Sequence, residues 1–295
     1  MFNKIVTCLP KPLLKTVQQL QTQYQDFRLY RLGSYALNRF TPRKGYQLQQ
    51  HLAYGLKARQ RLDLYRSERA HAKQPLVVFV HGGAWQTGDK KDYRFLGQSL
   101  ASAGFDVAVL NYHLAPTHIF PSSVQDLQLA LQFLQAQQES LGISTQQLIL
   151  LGHSAGAFNI MSYLYHPQPL NTLAQTKICA VIGLAGPYHF DYLGDALCEV
   201  AFDRKIPYTE VMPVGFVQSN AIRHYLLSAA KDQTVKASNA QDMHAALKAV
   251  GNHSEMIEIA HTGHVTLVGS LSHWFSRYFQ TKTQLLRVLH ESIAD

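Results

Sequence analysis

Residues 148–161 read LILLGHSAGAFNIM. A short continuous apolar run ends in Gly152-His153-Ser154-Ala155-Gly156, and an apolar stretch with helical spacing follows at once. Strand, sharp turn and helix in that order predict a serine raised on a strained turn at the top of a parallel sheet. The residue types suit such a backbone. Glycine two places before and two places after the serine relieves crowding where the chain doubles back, and the small Ala155 lets it pass close to the preceding strand. The hydroxyl would stand at the partly positive N-terminal end of a helix. A serine at an ordinary structural turn would not need glycine on both sides, so Ser154 is expected to be a nucleophile.

Outward from this stretch the pattern repeats. PLVVFV (75–80), DVAVLNY (106–112), QLILLG (147–152), CAVIGLAG (179–186), RHYLLSAA (223–230) and EMIEIA (255–260) are short, nearly continuous apolar runs, as suits strands covered on both faces. YQLQQHLAY (46–54) and QRLDLY (60–65) alternate apolar and polar like half-buried strands. Helical spacing is found over 92–103, 121–140, 155–166, 238–250 and 264–279. Strand and helix in alternation predict an α/β fold, a mostly parallel sheet of about eight strands with helices on both faces. One long departure, 187–222, is rich in aromatics and proline; it is expected to run over the carboxyl edge of the sheet, where ligands bind in such folds.

A serine is inert at its own pKa and requires a base, with a third group to orient that base. On this kind of sheet the partners follow the serine in the order acid, then histidine. Asp232 lies just past RHYLLSAA, in KDQTV (231–235), and His264 closes HTGH (261–264) just past EMIEIA. Both loops are expected on the edge that carries Ser154. His264 is preferred to His261, which sits closer to the strand end. Asp126 and Asp203 are the runner-up acids, one before the elbow on a helical segment and one in the 187–222 excursion. Of the remaining histidines, His153 fills the free position inside the elbow, and His113, His118 and His189 would at most line the rim.

Acyl transfer also needs donors for the oxyanion of the tetrahedral intermediate. PLVVFV runs into His81-Gly82-Gly83-Ala84-Trp85, a glycine pair at a strand end whose N–H groups can face a substrate without side-chain obstruction. Gly82, Gly83 and Ala84, together with Ala155, are the expected oxyanion hole. His81 and Trp85 either buttress this loop or, for Trp85, touch the substrate. Trp85, Tyr188 and Phe190 are the candidate pocket walls, with Tyr192 and Phe202 beside them. No phosphate loop and no metal-ligand spacing competes, so neither a metal nor a cofactor is expected.

Composition narrows the class further. The chain has 295 residues, 46% hydrophobic and 16% charged, enough for a large core and unlike a disordered segment. Three scattered cysteines, Cys8, Cys179 and Cys198, make no disulfide framework and point to a reducing, cytoplasmic setting. No apolar run reaches the length of a membrane span, and the N-terminal apolar stretch is too short for a secretory leader. The formal charge of +8 is uneven: residues 1–73 hold 14 Lys and Arg against 3 Asp and Glu, and the rest is slightly acidic. Within residues 1–45, taken as a basic N-terminal helical extension to a domain over 46–295, Leu13, Leu14, Val17, Leu20, Tyr24 and Phe27 recur at helical steps. Such a helix either packs on the domain with its cations solvated or lies on an anionic membrane surface, giving peripheral membrane contact. Nucleic acid is disfavoured, because no recognition motif accompanies the charge.

Together these residues resemble the α/β-hydrolase esterases with an HGG-type oxyanion motif, a group that includes the hormone-sensitive-lipase-like carboxylesterases and the kynurenine formamidases. The resemblance covers roughly residues 46–280. It is carried by LDLY (62–65), HGGAW (81–85), NYHLAP with the FPSSVQD that follows (111–126), GHSAG (152–156), KDQTV and HTGH. It implies Ser154 as nucleophile, His264 as base, Asp232 as its orienter, and the N–H groups around Gly83, Ala84 and Ala155 as oxyanion donors. Where hormone-sensitive-lipase-like members usually carry a third glycine this chain has Ala84, and HGG-x-W looks more like the formamidases and related bacterial esterases. The expected activity is hydrolysis of small-molecule short-chain carboxylic esters. The alternatives are an aryl formamidase or amidase and, in another class, a ligand-binding protein that kept the fold without its chemistry.

Overall fold

The computed structural model describes residues 33–73, 75–167 and 178–293. Its centre is one eight-stranded sheet in the order β1-β2-β4-β3-β5-β6-β7-β8. The strands are β1 (Tyr46–Ala53), β2 (Arg61–Ser67), β3 (Leu76–Val80), β4 (Asp106–Leu110), β5 (Leu148–His153), β6 (Ile178–Leu184), β7 (Arg223–Ala229) and β8 (Ser254–Ile259). β1 pairs with β2 and β2 with β4 in antiparallel fashion, and every other pairing is parallel. The continuous apolar runs of β3 to β7 are strands buried on both faces, whereas EMIEIA, read as another such run, forms β8 at the sheet edge and leaves Met256 38% exposed, because no strand lies beyond it. In β3, Leu76, Val78 and Val80 face one hydrophobic layer while Val77 and Phe79 face the other. Alternation of period two therefore holds even where every residue is apolar.

Helical residues 33–39 form α1. They are followed by α2 (Arg94–Ala101), α3 (Ser122–Ala136), the single turn α4 (Gln138–Leu141), α5 (Ala155–Tyr165), α6 (Ser238–Ala249), α7 (His264–Gly269) and α8 (Thr281–Glu291). Side chains of α3, α5 and α6 join one hydrophobic layer; those of α2, α7 and α8, with Leu37 of α1 packed against them, join the other. α1 is tied to the domain by Asn38, whose amide donates to the Lys91 carbonyl at 2.8 Å and accepts from the Phe95 N–H at 3.0 Å. Residues 33–45 thus pack on the sheet domain, and the basic helix expected over residues 13–27 lies outside the described residues. Among the described residues no helix is long and apolar enough to cross a membrane.

Two helical boundaries differ from expectation. The single helix expected over 264–279 stops at Gly269, because Ser270 turns its hydroxyl to the Leu267 carbonyl at 2.8 Å and meets Thr281 Oγ1 at 2.6 Å. Serine side chains that bond locally compete with the helical ladder in this way. α8, which begins at Thr281, buries Leu285, Val288 and Leu289 at steps of three and four, a spacing present in the sequence but passed over. The excursion between β6 and β7 contains only short 3-10 turns, at Glu199–Ala201, Tyr208–Glu210 and Pro213–Phe216. It is stitched to its neighbours: Phe120 N–H donates to the Ala201 carbonyl at 2.8 Å, and Gln86 Nε2 to the Leu197 carbonyl at 2.5 Å.

Candidate active site

β5 delivers Ser154 to the carboxyl edge of the sheet with φ 53° and ψ −122°, a conformation that costs a non-glycine residue about 1–3 kcal/mol. The surrounding glycines make this tight turn feasible. A Cβ on Gly156 would overlap the Val80 carbonyl oxygen of the neighbouring strand, and one on Gly152 would sit 2.5 Å from the Ala157 nitrogen. Ser154 N–H is held by the Leu184 carbonyl of β6 at 2.8 Å, and the Ser154 carbonyl accepts from Ala157 at 2.9 Å, which starts α5.

Two further strand-end loops meet this serine. His264 is the first residue of α7; its Nε2 lies 2.9 Å from Ser154 Oγ, and its Nδ1 lies 2.9 Å from Asp232 Oδ2. The other carboxylate oxygen of Asp232 accepts the N–H groups of Thr234 and Val235, each at 2.9 Å. The acid and base loops are joined directly by Lys231 N–H donating to the Thr262 carbonyl at 2.8 Å. Burial alone would raise the Asp232 carboxyl pKa, but the bond from His264 and the two backbone donors outweigh it and hold the group below its ordinary value. Asp232 therefore stays ionised near neutrality. His261, three residues before His264, is exposed with φ 64°. The runner-up acids are engaged elsewhere: Asp126 Oδ2 meets His113 Nδ1 at 2.6 Å and Asp203 Oδ1 caps its own turn by accepting from Lys205 N–H at 2.9 Å.

The HGGAW loop lies against the serine, since a Cβ on Gly82 would sit 3.0 Å from Ser154 Cβ. Gly82 itself departs from expectation as a donor: its N–H is turned to the Tyr93 hydroxyl at 3.3 Å. That leaves Gly83 and Ala84 from this loop. Ala155 opens α5, and a first-turn N–H has no partner within its own helix. His81 Nδ1 is 2.7 Å from the Gly82 carbonyl oxygen, which can only accept, so the ring carries its proton there. The Gly82 carbonyl and the Gly83 N–H share one planar trans peptide and point opposite ways. Pinning the carbonyl thereby sets the direction of the Gly83 donor. His153 does similar work on the other side, its Nε2 donating to the His264 carbonyl at 3.1 Å. The buttressing expected of His81 thus takes the form of a bond to the Gly82 carbonyl, whereas the role of His153 was not legible, since nothing local in the sequence announces a bond to a distant backbone carbonyl.

Both rings are neutral. Burial, the largest cause, lowers the His81 pKa to about 4 and, with the His264 ring adding to it, the His153 pKa to about 3. Burial does the same to His224, which falls to about 4. An unfolded histidine titrates near 6.5, so below that pH the unfolded chain takes up protons that these native rings refuse. Stability is then fully present above about 6.5 and falls as pH drops toward about 4. Urea unfolding should show a clearly lower midpoint at about pH 5 than at about pH 7, a window above the usual carboxylate range; equal midpoints would contradict the assignment of neutral buried rings.

The pocket walls need correction. Trp85 is 4% exposed, donates from Nε1 to Asn159 Oδ1 at 2.9 Å and packs edge-on against Phe158 and Phe202, so it buttresses the loop. Tyr188 is fully buried beneath Gly183 and Gly186, and Tyr192 stacks on Phe202 with its hydroxyl donating to the Ile206 carbonyl. These aromatics fill the interior because the excursion folds onto the same hydrophobic layer as α5. Phe190, stacked on Trp85 with centroids 6.3 Å apart, remains partly exposed.

A mostly parallel eight-stranded sheet, with a serine on a strained elbow after β5 and an acid and a histidine on the loops after β7 and β8, defines an α/β-hydrolase. The chain belongs to the BD-FAE family of this fold, which its residues 62–247 match. A probable isoprenylcysteine alpha-carbonyl methylesterase of Oryza sativa subsp. japonica is 31% identical over 166 residues, 54% of this chain and 40% of the relative. Kynurenine formamidase of Drosophila melanogaster is 33% identical over 138 residues, 47% of this chain and 45% of that protein. The chain thus spans less than half the length of these two relatives. Among solved structures, esterase B from Lactobacillus Rhamnosis superposes with a TM-score of 0.77 at 18% identity, covering 95% of this chain and 96% of the other. At that identity the likeness is one of fold.

Proposed function

We propose that the protein is a serine hydrolase that cleaves small carboxylic esters through an acyl-enzyme on Ser154. The observation that carries this is the unbroken relay Ser154 Oγ, His264 Nε2, His264 Nδ1, Asp232 Oδ2, with both contacts at 2.9 Å. In the reaction His264 Nε2 takes the hydroxyl proton as Oγ attacks the ester carbonyl. The N–H groups of Gly83, Ala84 and Ala155 stabilise the oxyanion. His264 then returns the proton to the departing alkoxide, and a water repeats the sequence to release the acid. Asp232 holds the ring in the tautomer with its proton on Nδ1 and stabilises the imidazolium that forms. The reading includes a preference for short acyl groups, which a series of p-nitrophenyl esters of increasing acyl length tests.

A second reading, an aryl formamidase, shares all of this machinery. It is favoured by the partly exposed Phe190 stacked on Trp85, a flat aromatic surface that suits an aryl leaving group, and by the Drosophila melanogaster relative. Hydrolysis of p-nitrophenyl acetate, butyrate and decanoate beside N-formylkynurenine separates the two. Turnover that falls with acyl length and vanishes in Ser154→Ala is the expected result. Formamide turnover far above ester turnover would move the assignment to the formamidase, and no turnover of any substrate would leave a binding protein.

A further inference from the structure

The turn between α7 and α8 places three large aromatics in water within five residues: Trp274 is 53% exposed, Phe275 47% and Tyr278 74%. The segment is firmly held. Leu271 is fully buried beneath it, the Ser270 and Thr281 hydroxyls close its two ends at 2.6 Å, and the Ser276 N–H bonds the Ser272 carbonyl at 3.0 Å. Within the turn, the Arg277 guanidinium lies 5.6 Å from the centre of the Trp274 ring. Three large aromatics exposed side by side on a segment held at both ends mark a contact surface.

Its charge says what kind. From Ile259 to His290 the chain has no aspartate or glutamate; of its cations Arg277 is exposed, Lys282 is partly buried, and Arg287 is paired with Glu255 and Glu291, which lie just outside the stretch. α1 packs beside this stretch, with Leu37 Cδ1 against Gly269, and it too belongs to an acid-free segment, which runs from Phe27 to Leu62. Arg39, Arg43 and Lys44 of that segment are exposed, as are Tyr35 and Phe40. Asp89 and Asp92, near the Lys91 carbonyl that Asn38 of α1 contacts, are flanked by Lys91 and Arg94. Tryptophan and tyrosine flanked by arginine and lysine is the chemistry of a membrane interface: the rings sit at headgroup depth while the cations meet anionic lipid.

We propose that the Trp274–Tyr278 turn, together with the cationic residues of α1 and its exit, is a docking surface for an anionic lipid membrane. The turn begins only five residues after α7, the helix that opens with His264, so a docked molecule holds its base loop close to the bilayer. The surface stands on exposure and charge and does not depend on which bond the site cleaves.

The chain's two tryptophans make the test direct, because Trp85 is 4% exposed and Trp274 is the outward one. The full-length protein is mixed with vesicles of phosphatidylcholine carrying about 30% phosphatidylglycerol, with and without brominated acyl chains. Emission from Trp274 should shift to the blue and be quenched by the brominated lipid, and Trp274→Phe should remove the quenching. In cosedimentation, the combined Trp274→Ser, Phe275→Ser, Tyr278→Ser variant should bind about tenfold more weakly or worse, Arg277→Gln should bind more weakly, and about 0.5 M salt should release both forms. Thermal unfolding of each variant checks that its fold persists. Three results would overturn the proposal: Trp274 unquenched by vesicles; vesicle binding by the triple variant equal to wild type, which would assign binding to residues 1–32 alone; or a concentration-dependent dimer lost in the triple variant without lipid binding, which would assign the surface to a second copy of the chain.

Discussion

Replacing His264 by alanine should lower kcat for a p-nitrophenyl ester by about 10⁴ to 10⁶ while KM changes little. The imidazole touches both Ser154 and Asp232, and without it the hydroxyl has no base and the carboxylate nothing to orient. Ser154→Ala should cost about as much, and the double variant no more than either single one, because the two groups act in one step. Asp232→Asn separates the roles. Its amide can donate to Nδ1 and so favours the tautomer with the proton on Nε2, where it can no longer accept from serine, and the expected loss is about 10⁴. Folding should be retained in each variant, which circular dichroism and a thermal melt would verify. A His264→Ala protein that kept more than a few per cent of wild-type turnover would remove this histidine from the chemistry.

The largest effect on stability is expected away from the site, at Lys90. Its ammonium is 2.6 Å from Asp63 Oδ1, with side-chain exposures of 3% and 1%. His51 completes the cluster, its N–H donating to the same Asp63 oxygen at 2.8 Å and its Nδ1 lying 3.0 Å from Lys90 Nζ. Lys90 lies five residues beyond the end of the HGGAW loop, so the pair fastens that region to the antiparallel edge of the sheet at β1 and β2. Removing the cation strands a buried carboxylate, and Lys90→Met should cost about 3–5 kcal/mol. For a domain of this size that is a fall in melting temperature of roughly 6–20 °C. Replacing both partners together, Asp63→Leu with Lys90→Met, should recover most of the loss, since two well-packed apolar groups carry no desolvation cost. If the single substitution left the melting temperature unchanged, or the double one proved worse than their sum, the pair would not be the buried ion pair described.

How much of this could be read in advance differs by element. All eight strands fall where apolar runs or alternation placed them, because the central strands, buried on both faces, have few other sequences open to them and the edge strands keep a partly buried face. Helix ends were less legible. The α7 helix stops where Ser270 finds Leu267 and Thr281, and a sequence pattern does not show that Thr281 will be within reach. The glycines of the elbow were legible in kind, yet the neighbour that excludes a larger residue at Gly156, the Val80 carbonyl of β3, belongs to a strand some seventy residues earlier.

The sequence by itself determined the class of fold and the order in which serine, acid and histidine arrive, because strand periodicity, the glycine-flanked turn and chain order are local or linear properties. Tertiary structure alone decided which aromatics remain exposed. Trp85, Tyr188, Tyr192 and Phe202 are as suited to a pocket wall as Phe190 by composition, but the excursion folds onto α5 and buries them, while Trp274, Phe275 and Tyr278 are left in water where a helix was expected to continue. It also decided that His81 and His153 act on carbonyls of the two loops they touch and that Lys90 and Asp63 meet at all. Burial and partnership depend on which distant segments share a volume, and no single stretch of chain carries that information.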